Sequence, residues 1–271
     1  MTRTTSHDIP DIQNLDDHRK KRIDQVGIRS VRHRLTYIDT KGGLTCPTVS
    51  QASMYVSLPE DKKGTHMSRF IEFLNEEMTE VSLESFSDQL IEMTRRLSAD
   101  KGYIKLAFPL LIDKEAPLSK ALSSIDYDVA LYGQYQNGKT DIQIQLVVPM
   151  TTLCPCSKEI SEYGAHNQRS YITLTALLDK NISIKDLIFA LEAQGSAQVY
   201  SLLKRVDEKF VTEYAYNHPK FVEDLVRDLA KVLDNYDGIQ AYRIESENME
   251  SIHNHSAYAM IETANKFIDI R

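Results

Sequence analysis

Cysteine is scarce in this sequence, and long apolar runs are missing. Three cysteines occur among 271 residues, and an odd number of thiols argues against a disulfide framework. No apolar run approaches the roughly 18 to 20 residues that span a bilayer. Residues 1–25 are polar and hold no apolar signal core, so we expect a cytoplasmic protein without a membrane partner.

An excess of positive charge is missing as well. The formal net charge is −7, which gives no reason to expect a nucleic acid or an anionic membrane surface as a partner. A negative total still permits a locally basic pocket for an anionic ligand. The hydrophobic share of 42% over this length is enough for one sizeable core or for two smaller domains.

What the sequence does contain is a pattern of strands and helices that occurs twice. Alternating apolar residues predict four strands in each half, over residues 27–39, 48–58, 103–112, 127–135, 140–150, 169–178, 238–248 and 256–264. Apolar residues at helical spacing predict two helices in each half, over residues 67–77, 82–99, 183–205 and 219–236.

Each half therefore has the order strand, strand, helix, helix, strand, strand. This order predicts an α+β protein with two antiparallel sheets, each covered on one face by a pair of helices. We assign residues 1–25 to an N-terminal arm, residues 26–138 to a first ββααββ module and residues 139–271 to a second. The halves show no letter-for-letter repeat, so the duplication is one of pattern only.

The segment from Leu153 to Ser170, LCPCSKEISEYGAHNQRS, holds two of the three cysteines and lies between two predicted strands. Thiolate and imidazole are common ligands of zinc and related metals, which makes Cys154, Cys156 and His166 candidates for a metal site. The Cys-X-Cys spacing is weak evidence alone. A buried thiol beside a surface turn and a Cys–His nucleophile pair remain alternatives.

A second polar segment, ENMESIHNHSAYA, carries two histidines. His253 and His255 alternate on a strand-like stretch, which would place both on one face, and Glu250 comes just before them. Two imidazoles and a carboxylate suit proton transfer or ligation. The alternative is a solvated strand edge that happens to be rich in histidine.

The segment LLKRVDEKFVTE lies at the end of the third predicted helix. Here Glu208 could bind a metal, while Lys204 and Arg205 could meet an anion. The alternative is a solvated, charged helix end, which is what charge runs usually form.

The segment KKGTHMSRF comes where the first predicted helix begins. His66, Ser68 and Arg69 precede or open this helix, and backbone N–H groups at a helix start, with cations nearby, can bind a phosphate. The alternative is a basic loop with a serine cap.

A single glutamate stands out in the last predicted helix. Glu223 lies close to the apolar stripe of this helix, between Val222 and Leu225. A carboxylate placed there is either a surface residue at the edge of the stripe or an acceptor for two adjacent N–H donors of a ligand.

Seven segments of the chain together resemble one protein family. They are PDIQ, VGIRSVRHRL, KGTHMSRF, TTLCPCSKEISEYGAHNQRS, LKRVDEKFVTE, NHPKFVEDLVRD and ESIHNHSAYA, and they extend from about residue 10 to residue 260. The family is GTP cyclohydrolase of type IB, the prokaryotic form of the first enzyme of folate synthesis. One departure is Val206, where we would expect a proline, and this change should not alter the chemistry.

The resemblance implies a tunnelling fold with two modules in each chain. It also implies a homo-oligomer, typically a tetramer, whose active sites lie where modules or subunits meet. A glutamate, here Glu223, would anchor the purine of GTP. A divalent metal, which could be zinc, manganese, iron or magnesium, would be held by Cys154, His166 and Glu208, and we choose the first cysteine over the second.

The resemblance places the other candidates around that metal. His253 would move protons to and from the purine ring with His255 as its partner, and Cys156 would position the site or carry a proton. The remaining substrate contacts are Glu250, His66, Ser68, Arg69, Lys204 and Arg205, of which the basic residues would screen the triphosphate.

The expected activity is the metal-assisted hydrolysis of GTP to 7,8-dihydroneopterin triphosphate and formate. Two alternatives remain. One is a related tunnelling-fold enzyme, such as a nitrile reductase of queuosine synthesis, although the sequence has no dinucleotide fingerprint for the NADPH that this reaction needs. The other is a non-catalytic module that binds zinc or a purine.

Overall fold

The computed structural model describes residues 13, 15–263 and 267–269, and this part of the chain forms one sheet with helices packed against it. The strands are β1 Ile23–Asp39, β2 Leu44–Leu58, β3 Glu80–Val81, β4 Lys101–Glu115, β5 Leu122–Gln136, β6 Lys139–Leu153, β7 Asn167–Leu178, β8 Ala197–Gln198, β9 Ile239–Met249 and β10 Ala257–Glu262. The helices are α1 Met67–Glu77, α2 Leu83–Arg96, α3 Pro155–Ile160, α4 Ile184–Glu192, α5 Arg205–Asn217 and α6 Val222–Asp234. None of these helices is long and apolar enough to cross a membrane.

The sheet is antiparallel except for one short pair. Its strand order is β10-β9-β7-β6-β5-β4-β2-β1-β3, with β8 paired to β6 beside this path, and only β1 and β3 run parallel. Apolar residues of α1, α2, α4 and α6 join alternate strand residues in one continuous core. The predicted α+β class with antiparallel pairing is therefore confirmed.

A two-residue hairpin joins the two halves of the chain. Asn137 and Gly138 both have positive φ, of 54° and 76°, as the tight turn between adjacent antiparallel strands requires. The strands on either side pair at once, with Gln136 opposite Lys139. The prediction of two separate sheets is therefore wrong, because this turn makes β5 and β6 neighbours in a single sheet.

The third predicted helix is interrupted. It was expected over residues 183–205, but α4 ends at Glu192 and α5 begins only at Arg205. Between them, Gly195 lies so close to Met150 that a Cβ would come within 3.0 Å of the methionine sulfur. The chain leaves the helix here and pairs with β6 over the two residues of β8. Helix α5 is therefore a separate helix and not a continuation of α4.

The N-terminal segment packs against the loop before α1. The backbones of Asp16 and Lys62 form an isolated antiparallel β-bridge. The Gly64 N–H donates to the Gln13 carbonyl at 3.2 Å. Strand β1 begins at Ile23, within the range assigned to the arm. Residues 1–12 and 14, which include most of the PDIQ segment, lie outside the described residues.

A buried ion pair ties the first half of the chain to the second. Lys114 of β4 and Glu192 of α4 are 2.6 Å apart, with side chains 7% and 0% exposed. The Tyr127 hydroxyl donates to the other Glu192 oxygen at 2.8 Å, and Lys114 also donates to the Val199 carbonyl at 3.0 Å. Burial lowers the pKa of Lys114, and the facing carboxylate opposes that shift. Both charges are thus fully partnered.

We expect Lys114→Met to lower the free energy of unfolding by about 3–5 kcal/mol, because the Glu192 carboxylate stays buried without its partner. Adding Glu192→Gln should restore much of that loss. Urea unfolding at one protein concentration measures both effects. The exposed pair of Lys120 and Glu115 provides the control, since Lys120→Met should cost about 1 kcal/mol or less. Equal losses in the two lysine variants would contradict this account.

Candidate active site

A cleft of about 300 Å³ opens where the ends of β6, β7 and β9 meet the start of α6. Seven of the residues singled out in the sequence line it, namely Cys154, Cys156, His166, Glu223, Glu250, His253 and His255. They come from three separate segments of the second half of the chain. The fold therefore brings together thiol, imidazole and carboxylate groups in a space large enough for a small molecule.

Cys154 lies at the start of a short helix that the sequence pattern did not predict. It is the N-cap of α3, with Pro155 at the first helical position, where proline is favoured. Ser157 donates from its backbone N–H to the Cys154 sulfur at 3.4 Å and from its hydroxyl to the Cys154 carbonyl at 3.2 Å. Cys154 is half-buried and Cys156 is exposed. The first thiol is thus the more firmly placed.

The β6–β7 ladder places His166 beside Cys154. The Cys154 N–H donates to the His166 carbonyl at 3.1 Å, which extends the strand pairing by one step. His166 Nδ1 lies 3.0 Å from Gln168 Oε1 and 3.9 Å from Glu250 Oε2. The side chains of His166 and Glu250 are 11% and 15% exposed. Gln168 therefore contacts one side of the imidazole at hydrogen-bond distance, and the Glu250 carboxylate lies just beyond that distance.

Helix α6 presents Glu223 to the cleft from the other side. The Lys220 N–H donates to the Leu153 carbonyl at 3.0 Å, which fixes the start of α6 against the end of β6. Glu223 is exposed at the second residue of this helix. Backbone N–H groups at a helix start interact favourably with negative charge, which suits a carboxylate at the rim of the cleft.

His253 and His255 lie in the loop between β9 and β10, so the prediction of a strand at this point is wrong. Strand β9 ends at Met249 and β10 begins at Ala257. The intervening serines and asparagine favour turns. The two exposed imidazole rings stack, with centroids 5.1 Å apart and an angle of 16° between their planes. Stacking keeps both histidines at the cleft without strand alternation.

Six predicted site residues do not line this cleft. They are His66, Ser68, Arg69, Lys204, Arg205 and Glu208. The first three lie at the start of α1, which packs beside β1, and β1 is five strand spacings from β7, or about 24 Å across the sheet. The other three lie at the start of α5, where Glu208 is exposed. A single chain therefore supplies only part of the predicted site.

The start of α5 is fixed by a buried carboxylate. Asp207, fully buried, accepts from the N–H groups of Leu118, Ser119 and Lys204, each at 2.9 Å, and from the Ser119 hydroxyl at 2.5 Å. Burial alone would raise the pKa of Asp207, but these hydrogen bonds outweigh it and hold the pKa well below its usual range. Asp207 thereby fixes the position of the first turn of α5, from which the neighbouring Glu208 side chain extends.

Two side chains in the cleft are suited to bind a metal ion. Cys154 and His166 supply a thiolate and an imidazole, which bind zinc and other borderline metals. In the residues that the structure describes, no group of three or more His, Cys, Asp or Glu side chains is arranged to hold a metal ion. Cys154 and His166 therefore do not by themselves complete the three protein ligands of a catalytic metal site.

Sequence reasoning missed three polar residues of the cleft, which are Gln168, Lys220 and Asn248. Gln168 and Asn248 are 6% and 2% exposed. Strand alternation could have identified these two residues. Gln168 follows His166 by two residues and Asn248 precedes Glu250 by two, so each would share a face of the sheet with a candidate site residue. Nothing in the pattern around Lys220 distinguishes it from an ordinary surface lysine.

Comparison with known proteins decides the family. A model of the family described as type I GTP cyclohydrolase folE2 matches residues 9–259. The chain belongs to this family. The GTP cyclohydrolase FolE2 of Azoarcus sp. (strain BH72) is 52% identical over 263 residues, or 97% of each chain. That of Methylobacillus flagellatus is 53% identical over 254 residues, which are 94% of this chain and 95% of the relative.

A solved structure supports the fold assignment at a greater distance. Uricase from Arthrobacter globiformis superposes with a TM-score of 0.50 over 91% of this chain and 96% of its own, at 8% sequence identity. At that identity the likeness shows the fold alone.

The folE2 family membership and the resemblance seen in the sequence agree, so the family prediction is confirmed.

The low pKa of Asp207 predicts an acid-sensitive part of the stability. Because its folded pKa lies below its unfolded value of about 3.9, Asp207 stabilises the native state above that pH and loses this effect as pH falls through the folded pKa. We expect Asp207→Asn to be less stable than wild type at pH 7, and the difference to shrink below about pH 4.

Urea unfolding at a series of pH values measures this difference. The exposed Asp88 on α2 serves as the control, and Asp88→Asn should follow the wild-type curve throughout. An Asp207→Asn deficit that stays constant down to pH 3 would show that protonation of this carboxyl does not matter.

Proposed function

We propose that this member of the GTP cyclohydrolase family opens the imidazole ring of GTP in the cleft between α3, α6 and the β9–β10 loop. Water adds at C8 of the purine, and the imidazole ring opens to a formamide. A second water hydrolyses the formamide, which releases formate and leaves a free amine. Rearrangement of the ribose to a ketone and ring closure of that amine onto the carbonyl, with loss of one water, then give 7,8-dihydroneopterin triphosphate. The observation that supports this most is the convergence of Cys154, His166, Glu223 and the two stacked histidines on one cleft.

Glu223 is the proposed anchor for guanine. Its two carboxylate oxygens match the adjacent N1–H and 2-amino donors of the base. The start of α6 also favours negative charge at this position. Charge-assisted hydrogen bonds of this kind contribute about 1.5–3 kcal/mol each, which is enough to orient the base so that C8 points away from α6.

Cys154, His166 and Glu208 are the proposed ligands of a divalent metal. When bound, such a metal lowers the pKa of a coordinated water and so supplies a nucleophile near neutral pH. Thiolate and imidazole favour zinc or iron over magnesium, while metal availability also decides which ion is bound. Since Glu208 is exposed and does not line the cleft of its own chain, we propose that a second copy of the chain supplies it.

His253 is the proposed proton carrier for the purine nitrogens, with His255 as its partner. An imidazole side chain can both donate and accept a proton in general acid–base catalysis. The stacked arrangement leaves both rings in contact with the cleft. Cys156 and Glu250 lie in the same cleft, where Cys156 can position the substrate or pass a proton and Glu250 can accept a hydrogen bond from the substrate.

The triphosphate is proposed to lie against basic residues of neighbouring subunits in a homo-oligomer, which we expect to be a tetramer. The helix start at His66, Ser68 and Arg69 is one such site, and Lys204 with Arg205 is another. Both groups lie outside the cleft of their own chain. Open strand edges support assembly: among the described residues β10 pairs only with β9, and the outer edge of β1 pairs only with the two-residue β3. Such edges are templates for a further strand.

The two halves are proposed to be tandem tunnelling-fold modules, over residues 26–138 and 139–271, preceded by an arm over residues 1–25. Each half has two strands, then helices, then two strands. The second half departs from the simple pattern by the breaks that create α3 and separate α4 from α5. Family membership favours the hydrolase over a nitrile reductase or a non-catalytic module.

Glu223→Gln should raise KM for GTP by about 10- to 100-fold, because one charge-assisted acceptor becomes a neutral amide with a misplaced donor. The effect on kcat should be smaller, since Glu223 contacts the base away from C8. Oxidation of the product followed by pterin fluorescence measures both constants. Glu60→Gln, at an exposed residue far from the cleft, is the matched control. An unchanged KM in Glu223→Gln would remove the anchor role.

Cys154→Ser, His166→Ala and Glu208→Gln should each lose metal and turnover together. Elemental analysis of the purified variants, combined with the fluorescence assay, measures both. Cys156→Ser is the matched control, and it should keep its metal because we assign the ligand role to Cys154. Metal loss in Cys156→Ser with retention in Cys154→Ser would exchange the roles of the two thiols.

Mixed oligomers test whether Glu208 comes from a second copy. Cys154→Ser and Glu208→Gln chains are each expected to be inactive alone. Co-refolded in equal amounts, they should recover up to about a quarter of wild-type activity, because one site in four then combines an intact thiol with an intact carboxylate from its neighbour. No recovery in confirmed mixed oligomers would place all three ligands in one chain.

A further inference from the structure

Gln168 connects the candidate metal ligand His166 to a buried pair of hydroxyl groups. Its Oε1 lies 3.0 Å from His166 Nδ1, and its Nε2 donates to Thr152 Oγ1 at 2.8 Å. Thr152 Oγ1 in turn lies 2.8 Å from Ser170 Oγ. Gln168 is 6% exposed, and Thr152 and Ser170 are fully buried. Buried polar groups of this kind must find partners within the protein.

The strand register produces this chain of contacts. Thr152 of β6 is directly opposite Gln168 of β7, and directly opposed residues in an antiparallel pair share one face of the sheet. Ser170 follows Gln168 by two residues and so points the same way. These three side chains lie at the boundary between the buried core and the cleft. The amide of Gln168 is therefore held in place next to His166.

The direction of the hydrogen bonds decides where the imidazole proton lies. Because Gln168 donates through Nε2 to Thr152, it turns its carbonyl oxygen towards His166, and that oxygen can only accept. The Glu250 carboxylate, 3.9 Å from the same Nδ1, is too far for a hydrogen bond, but its negative charge also favours a proton on this nitrogen. Nδ1 must therefore carry the proton in the neutral ring. The lone pair of the imidazole is then on Nε2.

We propose that Gln168, supported by Thr152, is a positioning residue that holds His166 in the Nδ1–H tautomer, so that Nε2 is ready to bind the metal. The inference rests on the proposed function in that His166 is taken as a metal ligand. A hydrogen bond to the distal nitrogen of a ligating histidine fixes the ring and raises its basicity, and its loss typically costs 10- to 100-fold in metal affinity.

The tautomer can be measured without any metal. In protein labelled with ¹⁵N-histidine and stripped of metal, at about pH 8.5 where an ordinary imidazole is neutral, long-range ¹H–¹⁵N correlation distinguishes Nδ1–H from Nε2–H. His166→Gln identifies the signal by its disappearance. We expect the wild-type His166 to be in the Nδ1–H form. In Gln168→Leu this preference should be lost, whereas Gln168→Glu, which keeps an acceptor facing Nδ1, should retain it.

Metal affinity provides the second readout. Competition of zinc between the protein and a chromogenic chelator should show about 10- to 100-fold weaker binding in Gln168→Leu and near wild-type binding in Gln168→Glu. Gln145→Leu makes the same chemical change on β6 outside the cleft, and its affinity should match wild type. Thr152→Val removes the support for the amide while sparing its contact with His166, and an intermediate loss is expected.

The outcomes separate this inference from the proposed function. A wild-type His166 in the Nε2–H form, or a folded Gln168→Leu that binds zinc as tightly as wild type, would overturn the role of Gln168. If Gln168→Leu fails to fold, Thr152→Val decides on the same two readouts. If the tautomer is as expected but the wild type binds no metal and makes no product, the proposed function fails while the tautomer assignment stands.

Discussion

The antiparallel register of β6 and β7 is the constraint on which the rest of the site depends. Leu153 lies opposite Asn167 and Thr152 opposite Gln168, so Cys154 and His166 leave the ladder as neighbours. A shift of one residue would turn every side chain of β7 to the other face of the sheet. The register is secured by apolar residues further along both strands, which are buried in the common core. The chemistry at the strand ends thus depends on packing far from it.

Polar groups inside the molecule place the remaining parts of the site. Glu192 accepts hydrogen bonds from β4 and β5, which fixes the end of α4. Asp207 fixes the start of α5 against the loop between the same two strands. The Leu153 carbonyl fixes the start of α6. Each of these contacts fixes one end of a helix. Glu208 and Glu223 lie in the first turns of α5 and α6.

The sequence was sufficient for the elements whose pattern is local. Helix α1 begins and ends where its apolar spacing predicts, and α2 begins one residue after its predicted start. The strand patterns of both halves are found in the structure. Gly195 is a weak helix former and marks the region of the break in the sequence, but the close approach of Met150 is seen only in the structure. The single sheet was missed because pairing across the Asn137–Gly138 turn joins the two halves.

The site was predictable as a set of residue types but not as a set of contacts. Cys154, His166 and Glu223 were found from chemistry and family motifs, and they line one cleft. Gln168 was not found, because a glutamine on a strand has no chemical signature until its partners are known. The histidine pair was found for the wrong reason, since His253 and His255 face the cleft through a turn and ring stacking rather than through strand alternation.

The connection between β6 and β7 has a consequence for the order of assembly. Because Cys154 and His166 are joined by a short loop, closing that loop costs little entropy, and their meeting requires only one hairpin to form. Contacts between residues close in the sequence form early in folding. A chain emerging from synthesis can therefore bring these two side chains together before α6 is in place. Later folding then adds the remaining residues of the cleft to a pair that already exists.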